Sequence, residues 1–277
     1  MDTLYDRALT FRALHRSGTP LALANAWDAM SARLVEHAGA PAIATTSAGV
    51  AWGLGAADGD HLDRDRALEL IARVVAAVAV PVTADIESGF AGTADGVAET
   101  VRGVLAAGAV GVNLEDALRD GSAPLRAVAE QAERLAAARA AADAAGVPLF
   151  VNARVDTYLR AVGDPATRLQ ETLDRASAYV AAGADGIFVP GVTEPETVAA
   201  LAEGLPVPLN VLAGPGAPSL GELAALGVAR VSLGSAVAEA AYAVVRESAR
   251  ELFATGTYTA LAGRLDYDDL NGLLPRR

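Results

Sequence analysis

The segment Val80-Pro81-Val82-Thr83-Ala84-Asp85-Ile86-Glu87-Ser88-Gly89 joins a short apolar run to a pair of acids. The residue before a proline avoids helical backbone angles, so Val80-Pro81 is expected to end a helix and begin a β-strand. Side chains two positions apart on a strand share one face, and we therefore expect Asp85 and Glu87 to point in the same direction. The segment predicts a buried strand that carries carboxylates where it leaves the core.

Seven further runs of this kind alternate along the chain with segments of helical periodicity. The predicted strands are Leu21–Asn25, Ala42–Thr46, Val80–Asp85, Val110–Glu115, Leu149–Arg154, Gly186–Val189, Leu209–Leu212 and Ala229–Leu233. The clearest predicted helices are Asp65–Ala79, Thr93–Ala107, Ala123–Ala145, Pro165–Ala182 and Pro195–Gly204. Eight strand–helix units predict an α/β fold, a TIM (β/α)8 barrel. A doubly wound sheet is the competing architecture, but no Gly-x-Gly-x-x-Gly motif follows the first strand.

We interpret residues 1–277 as a single (β/α)8 barrel domain, with residues 236–277 forming a C-terminal helix and tail. A long and largely apolar helix is predicted over Ala236–Phe253. It has two interpretations, an eighth barrel helix followed by a cap, or a helix buried against a second subunit. The sequence leaves both open.

The composition argues against several classes of partner. The 277 residues include 22 basic and 34 acidic side chains, and a net charge of −12 disfavours a nucleic-acid partner. No apolar run reaches the roughly 20 residues that span a bilayer, so no membrane partner is expected. The first residues lack the basic-then-apolar layout of a signal peptide, and a cytoplasmic location is the expectation.

Two residue types with common catalytic roles are absent from the sequence. Without cysteine, disulfides, thiol catalysis and zinc–thiolate sites are excluded. All 22 basic residues are arginines, and the lack of lysine excludes Schiff-base catalysis and a P-loop. The three histidines, His15, His37 and His61, have no zinc-ligand spacing, and we expect them at the surface or in helices.

Polar side chains follow the predicted strands at the end where barrel enzymes place their active sites. They are Asn25, Ser47, Asp85, Glu87, Asn113, Glu115, Asn152, Arg154 and Asn210. Carboxylates without a histidine or thiolate beside them favour Mg²⁺ or Mn²⁺, and an arginine can bind a carboxylate or phosphonate bidentately. The alternative is a structural ion-pair network between neighbouring strands. A metal site is favoured because buried acids without a cation are costly.

Several short motifs occur in the order found in the phosphoenolpyruvate mutase/isocitrate lyase superfamily. They are Ser47-Ala48-Gly49, the Gly55…Asp58-Gly59 turn, Asp85-x-Glu87-x-Gly89-Phe90, Leu114-Glu115-Asp116, Ala153-Arg154-x-Asp156 and Asn210. The chain resembles this superfamily from Leu23 to Tyr242. The resemblance implies a barrel that binds Mg²⁺ and a small 2-oxo or 2-hydroxy acid, and that cleaves or rearranges a C–C or C–P bond through an enolate.

The resemblance also implies roles for individual residues. Asp85 is expected to contact the metal directly, while Glu87, Glu115 and Asp58 are expected to act through water. Substrate binding is assigned to Ser47, Ala48, Gly49, Arg154 and Asn210, and the candidate catalytic residues are Asp58, Glu115 and Arg154. Members of the superfamily usually exchange their last helix between subunits, which implies a homo-oligomer, either a dimer or a tetramer.

The chain departs from the lyases of this superfamily in the loop after the fourth strand. Residues 117–124 contain none of the cysteine, histidine and lysine that isocitrate and methylisocitrate lyases carry there, and the lysine and asparagine of phosphoenolpyruvate mutase are also missing. Pro190-Gly191 and Ser235-Ala236 stand where those lyases have a glutamate and an arginine. The departures indicate a member with a shorter loop and a smaller substrate.

The sequence leaves three functions open. The leading hypothesis is a Mg²⁺-dependent lyase or decarboxylase that cleaves a C–C bond of a small, oxaloacetate-like carboxylic acid through an enolate. The first alternative is a C–P bond enzyme, namely phosphonopyruvate hydrolase or a phosphoenolpyruvate or carboxyphosphonate mutase. The second alternative is a non-catalytic barrel that binds a metabolite.

Overall fold

Eight parallel strands form one sheet in the computed structural model, which describes residues 3–119 and 121–274. The strands are β1 (Leu21–Leu23), β2 (Ile43–Ala44), β3 (Val82–Asp85), β4 (Gly111–Glu115), β5 (Phe150–Arg154), β6 (Gly186–Val189), β7 (Leu209–Leu212) and β8 (Arg230–Ser232). Hydrogen-bonded neighbours follow the order β1-β8-β7-β6-β5-β4-β3-β2. A parallel bridge between Ala26 and Thr45 brings the two remaining edges together. The predicted TIM barrel is confirmed, and the doubly wound alternative is excluded by this strand order.

Helices follow the strands in the alternation that the sequence predicts. Within the described residues they are α1 (Leu4–Ala13), α2 (Ala29–His37), α3 (Ser47–Gly53), α4 (Arg64–Ala77), α5 (Ala94–Ala106), α6 (Val128–Ala144), α7 (Arg168–Ala181), α8 (Pro195–Gly204), α9 (Leu220–Ala225), α10 (Ala236–Thr255) and α11 (Tyr267–Leu273), with a 3₁₀ turn at Thr259–Leu261. The helix predicted from Ala123 begins instead at Val128, because Ala117 forms an antiparallel bridge with Leu125 and keeps this stretch extended.

Helix α1 closes the barrel at the N-terminal ends of its strands. Phe11 is fully buried there and meets the ring of Phe150 edge to face, with 5.8 Å between centroids. A Cβ on Gly111 would lie 2.8 Å from the Phe11 ring, so only glycine fits at the start of β4. His15 stacks on Phe150 at 3.9 Å and is partly buried rather than a surface residue. This end of the barrel is closed by aromatic packing.

The C-terminal segment is helical, as predicted, but it does not cover its own barrel. Ala238 is the one buried residue of α10 in the described chain, whereas Val245 and Phe253 are 63% and 86% exposed. Helix α11 returns to α2, where Arg33 Nε donates a hydrogen bond to the Leu273 carbonyl at 2.7 Å. The structure therefore does not support the interpretation of α10 as an eighth barrel helix that packs on its own strands.

An apolar groove of about 610 Å³ runs along the seam between β1 and β8 on the outer face of the barrel. Its lining includes Leu23, Val35, Leu223, Val231 and Leu233. In a (β/α)8 barrel the helix that follows the eighth strand packs on this face. The groove is therefore the position that α10 leaves uncovered. Among the described residues, none of the helices combines the length and apolar character needed to cross a bilayer.

Candidate active site

A cavity of about 210 Å³ lies at the C-terminal ends of the barrel strands. It is lined by Asn25, Thr46, Ser47, Ala48, Asp58, Asp85, Asn113, Arg154, Leu159, Phe188, Pro190, Leu212, Ser232, Gly234 and Ser235. Cavities for drug-sized ligands measure roughly 300–1,000 Å³. This one therefore suits a smaller molecule, and it combines two carboxylates and a guanidinium group with apolar walls.

Asp85 is the last residue of β3 and the acid most directly placed at the cavity. Its backbone N–H donates to Thr45 Oγ1 at 2.9 Å, and its Oδ1 accepts from the Glu87 N–H at 3.2 Å. Burial raises the pKa of Asp85 to about 6, against the attraction of Arg154, which favours the charged form. A carboxylate held at this desolvation cost is typical of a functional group rather than a stabilising one.

Glu87 lies beyond the end of β3, so strand alternation does not determine where its side chain points relative to Asp85. The strand ends at Asp85, and Glu87 adopts a left-handed backbone with φ of 51°. Its Oε2 accepts hydrogen bonds from the backbone N–H groups of Gly59, at 2.8 Å, and Asp60. Burial raises the pKa of Glu87 to about 8, and the nearby Asp58 carboxylate adds to the effect. Glu87 does not line the cavity, and its Oε2 holds the loop that carries Asp58.

Two carboxylate oxygens beside the cavity are buried without a hydrogen-bond partner in the described part of the chain, Asp58 Oδ1 and Glu87 Oε1. Buried polar atoms are normally satisfied, and a hard divalent cation prefers carboxylate oxygens. The donor set therefore fits Mg²⁺. No group of three or more acidic or imidazole side chains within residues 3–119 and 121–274 is arranged to hold an ion as the structure stands. The metal assignments of Asp85, Glu87 and Glu115 stay predictions.

Arg154 lies at the cavity and forms ion pairs with two buried acids. Its Nη1 is 2.7 Å from Glu115 Oε2, and its Nε and Nη2 donate to the two oxygens of Asp156 at 2.6 and 2.9 Å. Burial opposes the charge of Arg154, but these carboxylates outweigh it and raise the pKa of the guanidinium. Glu115 is 1% exposed, does not line the cavity, and also pairs with Arg119 Nη2 at 2.8 Å. For Glu115, the structure shows the ion-pair network that the sequence left as the alternative.

A second layer of side chains supports Arg154 from the outer side of the barrel. Asp116 Oδ1 accepts from the Asp156 N–H at 3.0 Å, and Asp116 Oδ2 accepts from the Tyr179 hydroxyl at 2.8 Å. Arg175 Nη1 completes the group, 3.3 Å from Asp116 Oδ2. We did not assign roles to these residues from the sequence. The available signals were the adjacent acids of Glu115-Asp116 and the i, i+4 spacing of Arg175 and Tyr179 on α7.

The predicted substrate-binding residues divide into two groups. Ser47 and Ala48 line the cavity, in the first turn of α3 rather than in an open turn. Gly49 does not line it, and a Cβ there would lie 2.8 Å from the Cβ of Trp27, so close packing explains this glycine. Asn210 is 1% exposed and lies beneath the cavity, bonded to other buried polar groups.

Comparison with known proteins agrees with this geometry. The sequence model of the phosphoenolpyruvate phosphomutase family matches residues 11–253. The 2-methylisocitrate lyase of Salmonella typhimurium is 37% identical over 69% of this chain and 65% of its own length. The oxaloacetate decarboxylase of Rhodopseudomonas palustris is 33% identical over 74% of this chain and 71% of its own length.

Two solved structures extend the likeness over nearly the whole chain. A Burkholderia cenocepacia protein described as a lyase/mutase has a TM-score of 0.90 and 42% identity, covering 97% of this chain and 95% of that one. Phosphonopyruvate hydrolase, solved in complex with oxalate and Mg²⁺, has a TM-score of 0.84 and 28% identity, covering 96% and 94%. The chain therefore belongs to the phosphoenolpyruvate mutase/isocitrate lyase superfamily, and it is an enzyme of this group of lyases and mutases.

Proposed function

We propose that this enzyme is a Mg²⁺-dependent lyase or decarboxylase that cleaves a C–C bond of a small, oxaloacetate-like 2-oxo acid through an enolate. The observation that carries the proposal is the small cavity in which the Asp85 carboxylate and the Arg154 guanidinium meet. The names of two relatives support it, since one is an oxaloacetate decarboxylase and another binds oxalate with Mg²⁺.

The side chains that would hold Mg²⁺ are Asp85, with Asp58 and Glu87 beside it. The metal would supply positive charge at the 2-oxo and carboxylate oxygens, where negative charge grows as the bond breaks. The orphaned oxygens of Asp58 and Glu87 are the structural support for this assignment. Glu115 is committed to Arg154 and Arg119 and contributes by keeping Arg154 in place.

Arg154 keeps donors for a substrate carboxylate despite its ion pairs. A guanidinium has five N–H groups, and Arg154 spends three of them on Glu115 and Asp156. Two N–H groups remain for an anion in the cavity. The apolar walls formed by Leu159, Phe188 and Leu212 limit the water around that anion, which strengthens its interaction with Arg154.

The absence of an acid group such as cysteine, histidine or lysine from loop 117–124 favours loss of CO₂ over cleavage of a larger acid. When oxaloacetate decarboxylates, the electron pair of the C–C bond passes to the enolate and CO₂ departs without needing a proton. Retro-aldol cleavage of an isocitrate-like acid needs a base at the hydroxyl and an acid at the departing carbon. The loop 117–124 has no cysteine, histidine or lysine to act as that acid.

The test is turnover of oxaloacetate with Mg²⁺ and after EDTA treatment, in the native enzyme and in Asp85→Ala and Arg154→Ala. We expect EDTA and both substitutions to lower turnover by about 10²-fold or more. Thr83→Val is the matched control, because Thr83 is buried in β3 and its Oγ1 has no hydrogen-bond partner in the described structure. Unchanged turnover in both active-site variants would contradict the proposed function.

A C–P bond reaction is the second candidate, supported by the structural likeness to phosphonopyruvate hydrolase. Arg154 would serve a phosphonate as well as a carboxylate. Release of inorganic phosphate from phosphonopyruvate, faster than CO₂ release from oxaloacetate, would favour this candidate over the first.

We also propose that the enzyme is a homo-oligomer in which α10 of a second copy lies in the groove between β1 and β8. The support is the apolar face of α10, exposed at Val245 and Phe253, together with an apolar groove on the same chain. Light scattering after gel filtration should give a dimer or tetramer. Val245→Asp should dissociate it, and Glu247→Gln on the same helix should not. A monomeric native enzyme would contradict this proposal.

A further inference from the structure

A layer of buried polar side chains lies directly beneath the active-site cavity. Asn113 and Asn152 are paired in the register of β4 and β5, and Asn210 and Arg230 are paired in that of β7 and β8. All four are at most 5% exposed, and of the four only Asn113 also lines the cavity. We infer that the Asn113 side-chain amide donates a hydrogen bond to an anionic oxygen of the ligand, held in that orientation by Asn152 and Arg230. The inference rests on the function proposed above.

The orientation of the layer is set at one end by backbone carbonyls. Asn210 Nδ2 donates to the Val211 carbonyl at 2.8 Å and to the Arg230 carbonyl at 3.3 Å. Carbonyls only accept, so the NH₂ group of Asn210 must face them. Its Oδ1 therefore faces Asn152, whose Nδ2 donates to it at 3.1 Å.

The same Asn152 group donates to Asn113 Oδ1 at 2.9 Å. Arg230 Nη2 donates to that oxygen at 3.2 Å, and a guanidinium has no acceptor to offer in return. Two donors from two strands thus fix the oxygen of Asn113. Its NH₂ group is left on the other side of a planar amide, and no hydrogen-bond partner for it is found in the described structure. Because Asn113 lines the cavity, this is the group available to a ligand.

The burial of Arg230 is not explained by a contribution to stability. Arg230 is 1% exposed, and among the described residues its Nε and Nη1 have no hydrogen-bond partner and no carboxylate forms an ion pair with it. Burial lowers the pKa of Arg230 to about 9. A buried and poorly paired cation destabilises the fold. A positive charge beneath an anion-binding cavity would favour the bound anion, and this is the function that we assign to Arg230.

The test measures binding of oxalate, the planar anion that resembles a pyruvate enolate, by calorimetry in the presence of Mg²⁺. Asn113→Leu removes the donor at similar volume and should weaken oxalate about 10- to 100-fold, since the bond is to a charged acceptor. Asn113→Asp keeps the oxygen that Asn152 and Arg230 need and replaces only the cavity-facing NH₂, so it should weaken oxalate at least as much. Thr83→Val, in the same barrel interior, should change the affinity less than twofold.

Two further measurements separate positioning from folding. In a double-mutant cycle, Arg230→Met should add little to the loss caused by Asn113→Leu, whereas independent damage would multiply. The side-chain ¹H–¹⁵N resonance of Asn113 should also shift when oxalate is added to the native enzyme. If oxalate affinity is the same in both Asn113 variants and the native enzyme, Asn113 is not a donor to the ligand, and the proposed function is unaffected. A native enzyme that binds no oxalate with Mg²⁺ would overturn the proposed function together with the donor.

Discussion

The two ends of the barrel both bury titratable side chains, and burial affects them in opposite ways. At the N-terminal end, burial lowers the pKa of His15 to about 3, with Arg230 adding to the effect. At the C-terminal end, burial raises the pKa of Asp85 to about 6 and that of Glu87 to about 8. Each group is shifted toward its neutral form. His15 can remain neutral at neutral pH, whereas Asp85 must be charged to hold a cation.

Stability and function are associated with opposite ends of the barrel. The closed end is filled by the rings of Phe11, Phe150 and the neutral His15, which pack against one another. The open end keeps orphaned carboxylate oxygens and two spare N–H groups on Arg154. We therefore expect substitutions at the closed end to alter unfolding free energy, and those at the open end to alter turnover and binding.

The largest effect on stability is expected at Phe11. Phe11→Ala empties a fully buried site and should lower the unfolding free energy by about 3–5 kcal/mol. Urea unfolding followed by circular dichroism measures this loss. Tyr5→Ala, an exposed aromatic on the same helix, is the control and should cost less than about 0.5 kcal/mol. Oxalate affinity of the folded Phe11→Ala protein should be unchanged, and a large loss of affinity would break the division between the two ends.

Asp85→Asn is the corresponding change at the open end. Turnover should fall by about 10²–10³-fold, equivalent to roughly 2.7–4 kcal/mol. The melting temperature should stay level or rise. The pKa of Asp85 is raised in the folded protein, so at neutral pH its charged form is less stable there than in the unfolded chain. Thermal unfolding at pH 7.5 and oxaloacetate turnover check the two halves. A drop in melting temperature with turnover intact would show that Asp85 serves stability rather than function.

A smaller effect is expected at Arg134, which connects α6 to the loop after β3. Its Nη2 donates to the carbonyls of Ser88 and Ala91, the latter at 2.8 Å. The loop includes left-handed positions at Glu87 and Phe90, which only the surrounding structure can hold. Arg134→Met should cost about 1.5–3 kcal/mol of stability and also weaken Mg²⁺ binding.

The control for Arg134→Met is Arg102→Met, a substitution of an exposed arginine on α5. It should change stability by less than about 0.5 kcal/mol. Calorimetric titration with Mg²⁺ gives the second readout. If Arg134→Met destabilises the fold while Mg²⁺ affinity is retained, the arginine supports packing only.

The strand pattern of the barrel was readable from the sequence because parallel strands buried on both faces are continuous apolar runs. Gly186–Val189 and Leu209–Leu212 were predicted with the bounds that the structure has. The start of α6 was not, because helical periodicity does not indicate the backbone bridge between Ala117 and Leu125.

Within the site, the sequence placed Asp85 and Arg154 at the rim, and both line the cavity. It treated Glu87 as part of the strand, whereas β3 ends at Asp85 and Glu87 has a left-handed backbone to which strand alternation does not apply. The orientation of Asn113 was out of reach for another reason. It depends on which strands are neighbours and in what register, which no single segment contains.

The smallest effect concerns pH, and it contrasts the two ends most directly. The pKa of His15 is about 3 in the folded protein and near 6.5 in the unfolded chain, so between these values the unfolded state binds more protons. Stability conferred by the neutral His15 is therefore lost as pH falls below about 6.5, with a slope of at most about 1.4 kcal/mol per pH unit. The raised pKa values of Asp85 and Glu87 act with the opposite sign over the acid range.

His15→Phe removes the titrating group and keeps a ring against Phe150. The Phe11 carbonyl, which His15 Nδ1 contacts at 3.0 Å, keeps its backbone donor from Leu14. We expect the variant to lose less unfolding free energy than the native enzyme between pH 6 and pH 5, by about 1 kcal/mol. Urea midpoints at the two pH values measure the difference. Parallel losses in both proteins would mean that His15 is protonated without cost, and the closed end would then not be the dry region that its packing indicates.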